Sequence, residues 1–271
     1  MLFDGKKFAE ELTQELRREV TARERAPRLG VCMVGDNLVS KRYVGLKKKM
    51  AERAGIDVVV HHFPEDITPE ELEKNIKETV ALYDGYIIQL PLPVHIDTSA
   101  MLDLIPIEKD VDMLSSSSMR AYYADATNLL PPVIGVFAEI LARHAIDVRG
   151  KQVVVVGYGK LVGKPAEHWF KKEGADVTVI DKGDDLLSAA KGADIIALGV
   201  GSPSLLKPDM IKEGVVILDA GTSEDGGALK GDADPACAEK ASLFTPVPGG
   251  IGPMTVVMLL KNLLILSDHG S

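Results

Sequence analysis

Apolar, β-branched runs alternate with helix-forming stretches along almost the whole chain, and this constrains the fold more than any other feature. The runs are Leu29–Gly35, Ile56–Phe63, Tyr86–Leu90, Lys151–Gly157, Asp176–Asp181, Asp194–Gly199 and Val215–Gly221. Most are continuously apolar rather than alternating, which is the pattern of parallel strands covered on both faces. Helices fit between them. Thr68-Pro69-Glu70-Glu71 supplies an N-cap, a proline at the first helical position and a capping-box glutamate, predicting a helix to about Leu82. Gly55, Gly174 and Gly192 each precede a strand and are expected to close a helix in the left-handed conformation. Strand alternating with helix implies an α/β protein with one doubly wound parallel sheet or two, and 271 residues leave room for either.

The alternation breaks between Ile105 and Gly150. A proline-bearing loop (Ile105-Pro106-Ile107), the serine run Ser115–Ser118, readable as a short linker, and Pro131-Pro132 interrupt it. A helix over residues 133–145 then leads into a new βαβ unit. Two domains with a hinge helix are expected, divided at about residue 126, the second running to residue 253. The apolar stretch Met254–Leu266 is a helix that no strand follows, free either to cap the second domain or to return to the first.

Composition narrows the partners. A net charge of −9 argues against a sequence-independent grip on nucleic acid or an anionic membrane. The N-terminal MLFDGKKFAEEL has no apolar signal core, and no unbroken apolar run reaches the length of a spanning helix, so a cytoplasmic protein is expected. Cys32 lies in an apolar run and Cys237 in a polar one, which reads as two reduced thiols. The histidines form no cluster of zinc type, so no metal is expected.

The second half opens with a strand, Val153–Val156, that runs into Gly157-Tyr158-Gly159-Lys160-Leu161-Val162-Gly163 and a helix. Glycines there let the backbone turn tightly and approach a pyrophosphate, whose charge rests on the helix N-terminus. The spacing GxGxxxG is one residue longer than the usual fingerprint, and a plain glycine-rich turn is the alternative. Asp181 ends the next strand, where an acidic residue commonly holds the adenosine ribose; the other strand ends, Gly199-Val200 and Gly221-Thr222, complete the candidate nucleotide site.

In the first half, Ser40, Tyr43 and Lys47 fall at spacings that put all three on one helix face. Lys47 also opens the run Lys47-Lys48-Lys49, which reads equally as solvated surface. Gln89 ends an apolar strand just before Leu90-Pro91-Leu92-Pro93. It is either a satisfied strand-end amide or a group positioned for a ligand. In Lys109-Asp110-Val111-Asp112 one aspartate is expected to cap or pair with Lys109, leaving the other for a donor-rich ligand. Residues 245–255 hold three prolines and three glycines, more special backbone chemistry than a structural turn needs.

Taken together, these segments resemble the bifunctional methylenetetrahydrofolate dehydrogenase/cyclohydrolase family over nearly the full length. Tyr43-x-x-x-Lys47 is similar to its tyrosine–lysine pair, and Gln89–Pro93 to its QLPLP segment. Lys109–Asp112 is similar to its KDVDG motif, and Thr245–Thr255 to TPVPGGVGPMT. The resemblance implies a catalytic folate domain of residues 1–125 plus 254–271 and a Rossmann-like NAD(P) domain of residues 126–253, with a cleft between them. It implies oxidation of 5,10-methylenetetrahydrofolate, hydrolysis of the methenyl product to 10-formyltetrahydrofolate, a place in one-carbon metabolism and purine biosynthesis, and a homodimer. Lys47 would be essential for hydrolysis, Gln89 would orient it, and Tyr43 would stack on the aminobenzoyl ring. Asp112 would bind the pterin's amino-pyrimidine edge, with Ser40 beside it; Pro248, Gly249 and Gly250 would shape the cleft wall.

Three departures stand out: Met113 occupies the family's glycine after DVD, Leu130–Gly135 replaces its PCTPxG segment, and Tyr158 stands where many members carry arginine. The last bears on the cofactor. Asp181 favours NAD by repelling a 2′-phosphate, whereas Lys160 and Lys182 favour NADP, and family habit leans to NADP. A methenyl cation needs water at its carbon and a group to take the water's proton. Lys47 serves either as that base or as a cation facing oxyanion character. Competing readings are a monofunctional NAD-dependent dehydrogenase and a nucleotide-sensing module without turnover.

Overall fold

A computed structural model describes residues 1–225 and 228–269. In chain order its elements are α1 (Gly5–Thr21), β1 (Arg28–Val34), α2 (Leu38–Ala54), β2 (Asp57–Phe63), α3 (Pro69–Val80), β3 (Gly85–Ile88), α4 (Thr98–Leu102), α5 (Ser116–Tyr123) and α6 (Pro132–Arg143). There follow β4 (Gln152–Val156), α7 (Gly163–Lys172), β5 (Asp176–Ile180), α8 (Leu186–Gly192), β6 (Ile195–Leu198), β7 (Val216–Asp219), β8 (Ser223–Asp225), β9 (Ala228–Lys230), β10 (Leu243–Phe244) and α9 (Ile251–His269). All seven expected strands form. The β8–β9 hairpin and the two-residue β10 carry too short an apolar pattern to be read beforehand.

Two compact units result. One comprises Glu10–Pro132 with Val256–Ser271 and holds a three-stranded parallel sheet in the order β2-β1-β3. Leu29, Val31, Tyr86, Ile87 and Ile88 are fully buried within it. The C-terminal part of α9 belongs here: Asn262 Nδ2 donates to the carbonyls of Val111 and Leu130 at 3.0 and 2.9 Å. By length and hydropathy α9 would pass for a membrane span, but Val257, Leu259, Leu260, Leu263 and Leu264 are buried in the fold. The capping box at Thr68 is present in full, with Glu71 N–H donating to the threonine and the Glu71 carboxylate accepting from Thr68 N–H.

The other unit comprises Met1–Ala9 with Val133–Thr255. Its five-stranded sheet is all parallel in the order β10-β7-β6-β4-β5. The chain passes from β4 to β5 on one side and returns to β6 on the other. The topological switch point therefore lies between β4 and β6, where open α/β sheets receive ligands at the carboxyl ends of the strands. Residues 1–9, expected with the folate half, pack in this unit instead. Phe3 N–H donates to Phe244 O and Phe244 N–H to Met1 O, so the first residues extend the sheet beside β10.

Two local expectations are corrected. Gly55 and Gly174 do close their helices at φ +81° and +85°. Gly192 does not: it is the last residue of α8, and Ala193 leads straight into the strand with extended backbone, so no left-handed residue is required. The serine run is not a linker. Ser115 caps α5, accepting from Ser118 N–H at 3.2 Å, and Ser116 N–H and Oγ both donate to Asp103.

Candidate active site

Helix α2 begins after the loop at the carboxyl end of β1 and carries Ser40, Tyr43 and Lys47 on one face. The structure separates Lys47 from its neighbours in the lysine run. Its side chain is 12% exposed, whereas Lys48 and Lys49 are exposed. The Lys47 ammonium donates to Gln89 Oε1 at 3.2 Å and lies 3.7 Å from Asp112 Oδ2. Gln89, at the end of β3, is itself held in place: its backbone N–H donates to Cys32 O and its Nε2 to Leu90 O at 2.7 Å. With the amide nitrogen committed to a carbonyl, the amide oxygen is the atom left for the lysine. Ser40 is buried and its Oγ lies 3.5 Å from the same Leu90 carbonyl. Tyr43 is 40% exposed.

In Lys109–Asp112 each residue has a different task. Lys109 reaches the carbonyls of Val80, Ala81 and Tyr83 at 2.7–3.2 Å, neutralising the C-terminal end of α3. Neither aspartate pairs with it, so the pairing alternative falls, and Asp110 instead binds main-chain amides in the manner of a cap. Asp110 is buried and accepts from the N–H groups of Leu114 and Ser115, fixing the entry to α5. Val111 is core, and Asp112 meets Lys47. Burial raises the pKa of Asp112, and the Lys47 charge opposes that rise. Met113, where relatives by resemblance carry glycine, sits at φ +57°, so the backbone retains the left-handed turn while the side chain is buried in the core.

In the five-stranded unit the glycine turn after β4 brings together several of the candidate nucleotide residues. Gly157 has φ +89°, and a Cβ there would come within 2.9 Å of Gly199 O and the Val200 side chain. A Cβ on Gly163 would meet Gly157 O at 1.9 Å, and one on Gly199 would meet the Val162 side chain. Gly159 differs: a Cβ there meets nothing within 4 Å. No packing demand explains that glycine, but a ligand approaching the backbone would. Helix α7 has no side-chain cap at its N-terminus; Lys164 and Ala166 N–H are bonded to main-chain carbonyls and Pro165 has no N–H, so an anion there would meet Gly163 N–H and the positive end of the helix dipole. The turn thus fits a dinucleotide, which Gly157–Gly163 and the α7 N-terminus would hold.

The Tyr158 hydroxyl donates to Glu167 at 2.6 Å, and Lys164 Nζ stands 5.2 Å from its ring centroid. Asp181 is exposed at the strand end and accepts from Lys182 N–H; Lys160, Lys182 and Thr222 are exposed. Pro248 is exposed and Gly250 buried, with Gly249 between them at φ +105°.

Two buried carboxylates in this unit escaped the sequence reading. Asp219 ends β7 and accepts from Gly221 and Ala233 N–H at 2.9 and 2.8 Å, while its own N–H donates to Thr245 Oγ1. Asp232 accepts from three consecutive amides, Val200, Gly201 and Ser202, at 2.7, 3.1 and 2.7 Å. Burial, with Asp232 nearby, pushes the Asp219 carboxyl up to about 7. An acidic residue ending an apolar strand, and another directly after Gly231, were the available signals.

A parallel sheet with a glycine turn at its switch point, in a chain that also carries a half-buried lysine between an amide and a carboxylate, defines a nucleotide-dependent α/β enzyme class. Residues 3–112 match the model of the tetrahydrofolate dehydrogenase/cyclohydrolase catalytic domain, and residues 133–269 that of the family's NAD(P)-binding domain. The bifunctional protein FolD of Nautilia profundicola is 41% identical, covering 96% of this chain and 95% of its own. Among solved structures, the bifunctional FolD methylenetetrahydrofolate dehydrogenase/cyclohydrolase of Campylobacter jejuni superposes with a TM-score of 0.94 at 34% identity, covering 100% of this chain and 99% of its own. The Trypanosoma brucei N5,N10-methylenetetrahydrofolate dehydrogenase-cyclohydrolase, solved with NADP and an inhibitor, superposes with 0.93 at 32% identity, covering 100% and 98%. The chain belongs to the tetrahydrofolate dehydrogenase/cyclohydrolase family.

Proposed function

We propose that the chain oxidises 5,10-methylenetetrahydrofolate with NADP and hydrolyses the resulting methenyl group to give 10-formyltetrahydrofolate. The observation that carries this reading is the Lys47–Gln89–Asp112 cluster, which lies within the catalytic-domain match. NADP, which the Gly157–Gly163 turn would hold, would supply the hydride acceptor. The chain's own share of that step is orientation, since the methylene carbon must be held against the nicotinamide.

Hydrolysis draws on the cluster. Water adds its oxygen to the methenyl carbon and gives up a proton, with Lys47 as the group placed to receive it. That proton goes to the ring nitrogen as its bond to carbon breaks, while the hydroxyl's own proton leaves to solvent as the formyl C=O forms, so hydrolysis of the cation releases one proton net. Gln89 Oε1 holds Lys47 in place through this exchange. Asp112 accepts from the amino-pyrimidine edge of the pterin, Ser40 lines the same wall, and the exposed Tyr43 ring stacks on the aminobenzoyl group. Pro248, Gly249 and Gly250 are assigned to substrate binding. Gly157, Tyr158, Gly159, Lys160, Val162, Gly163, Asp181, Lys182, Gly199, Val200, Gly221 and Thr222 bind the nucleotide. The reading includes a cytoplasmic homodimer that serves one-carbon metabolism and purine biosynthesis.

The test is one assay: purified protein with methylenetetrahydrofolate and either NADP or NAD, following reduced cofactor and methenyl compound separately. Cofactor reduction without lasting methenyl accumulation is expected. Accumulation at the rate of reduction would leave only a dehydrogenase. Faster turnover with NAD at equal concentration would reassign the cofactor.

A further inference from the structure

The loop after β6 is built around an internal anion. Val200, Gly201 and Ser202 point three consecutive amide N–H groups at the Asp232 carboxylate, which is fully buried. Successive amides converging on one point form the kind of concavity that binds anions in many proteins. Here the anion is supplied by the chain itself. Room for it is made by Gly221, where a Cβ would lie 2.1 Å from the Asp232 carboxylate. Gly231 plays the same part for Asp219, with a Cβ there 2.2 Å from Asp219 Oδ2. The two acids sit side by side but serve different loops. Asp219 ties Gly221 and Ala233, and Asp232 alone reaches 200–202.

That loop borders the switch point. Gly199 O and the Val200 side chain are the groups that close in on Gly157, and Val162 packs over Gly199. The position of residues 200–202 therefore sets one side of the crevice whose other side is the glycine turn after β4. With its three amides taken, this loop has none of them to offer a phosphate; in the first turn of α7 Lys164 and Ala166 N–H are given to Gly159 and Val162 carbonyls and Pro165 has no N–H, so the turn after β4 and Gly163 N–H are what remain.

We propose that Asp232 is a positioning residue for the dinucleotide: it fixes the loop 200–202 against the glycine turn and removes its amide donors from competition, so that the pyrophosphate is received at the β4 turn alone. The proposal rests on the reading that the switch-point crevice binds NADP. Asp219, equally buried in the same unit but not bonded to the loop, is the internal comparison.

The experiment titrates NADP into wild-type protein, Asp232→Asn and Asp219→Asn, with thermal melts and amide hydrogen exchange of residues 199–203 alongside. Asp232→Asn turns an acceptor oxygen into a donor that faces amide donors. Its dissociation constant for NADP should rise at least tenfold and exchange at 200–202 should quicken. Asp219→Asn, even with a comparable fall in melting temperature, should change NADP affinity less than threefold. Equal weakening by the two variants in proportion to lost melting temperature, or unchanged affinity in Asp232→Asn, overturns the proposal. Should Asp232→Asn not fold, Asp232→Glu, which keeps the charge but shifts it by one methylene, is read against the same two outcomes. Failure of the wild-type protein itself to bind NADP would instead refute the reading of the crevice.

Discussion

The Lys47 ammonium donates to Gln89 Oε1 at 3.2 Å while standing 3.7 Å from Asp112 Oδ2. The closer contact is to a neutral oxygen and the longer one to the charge. The lysine is thus steered by the amide and shared with the carboxylate, not locked into a tight ion pair. Lys47→Met, which keeps the stem and removes the amine, should abolish methenyl hydrolysis. Folate and NADP dissociation constants should stay within about threefold of wild type, a change below about 1 kcal/mol. Stopped-flow decay of methenyltetrahydrofolate checks this, and hydrolysis at the wild-type rate would remove Lys47 from the chemistry.

Asp112→Ala should raise the folate dissociation constant without changing nucleotide affinity. A charge-assisted pair to an amino-pyrimidine contributes about 1.5–3 kcal/mol, or roughly ten- to a hundredfold. Because burial lifts the Asp112 pKa, wild-type folate affinity should begin to fall at a higher pH than an exposed carboxylate would dictate. Titration calorimetry across acidic and neutral pH reads both effects; equal affinity in the variant would move the pterin contact elsewhere.

Met113→Gly should destabilise the protein even though relatives by resemblance carry glycine there. Relief of the left-handed φ of +57° is worth about 1–2 kcal/mol, but a fully buried methionine is lost. Truncating such a side chain costs about 2–5 kcal/mol, leaving a net loss centred on about 2 kcal/mol within a span of about 0–4. Urea unfolding measures it, and a stabilised variant would mean that strain outweighs packing.

Gly159→Ala and Gly163→Ala should separate ligand space from packing space. The first places its methyl where nothing lies within 4 Å, so stability should stay within about 0.5 kcal/mol while NADP affinity drops about tenfold. The second drives a methyl into Gly157 O and should cost about 1–3 kcal/mol of stability. Thermal melts paired with NADP titration decide; normal NADP affinity in Gly159→Ala would remove the ligand from that spot.

Asp219 gives the fold a pH slope. Its folded pKa, about 7, lies above the unfolded value of about 3.9, so between them the folded state holds the proton more tightly. The contribution is fully present below about pH 4 and is lost as pH rises through about 7. Asp219→Asn lacks this slope. Between pH 5 and pH 8 wild type should lose about 3 kcal/mol relative to the variant, read by urea unfolding at both. A constant difference would place the Asp219 carboxylate in its ordinary range.

The strands were legible because parallel strands buried on both faces must be apolar throughout, and the α3 start because a capping box is written in adjacent residues. What stayed hidden depended on partners distant in sequence. Lys109 finds its carbonyls some 26 to 29 residues upstream, and Asp232 finds its amides 30 to 32 residues upstream. The pattern Lys-Asp-Val-Asp marks such residues as special without saying which one caps, which holds a loop and which faces the lysine. The role of residues 1–9 was illegible for the same reason: their sheet partner is Phe244.

Ser40 Oγ and Gln89 Nε2 converge on the carbonyl of Leu90, an atom of the main chain. No replacement of the residue 90 side chain deletes that acceptor. Drift at this position can alter bulk and polarity while the anchoring of helix to strand end persists. An insertion or deletion between Gln89 and Pro93 is another matter, because it moves the carbonyl itself. The cluster is therefore buffered against point changes at residue 90 and exposed to changes in loop length, so conserved spacing around residue 90 is a better mark of a working site than conserved identity at it.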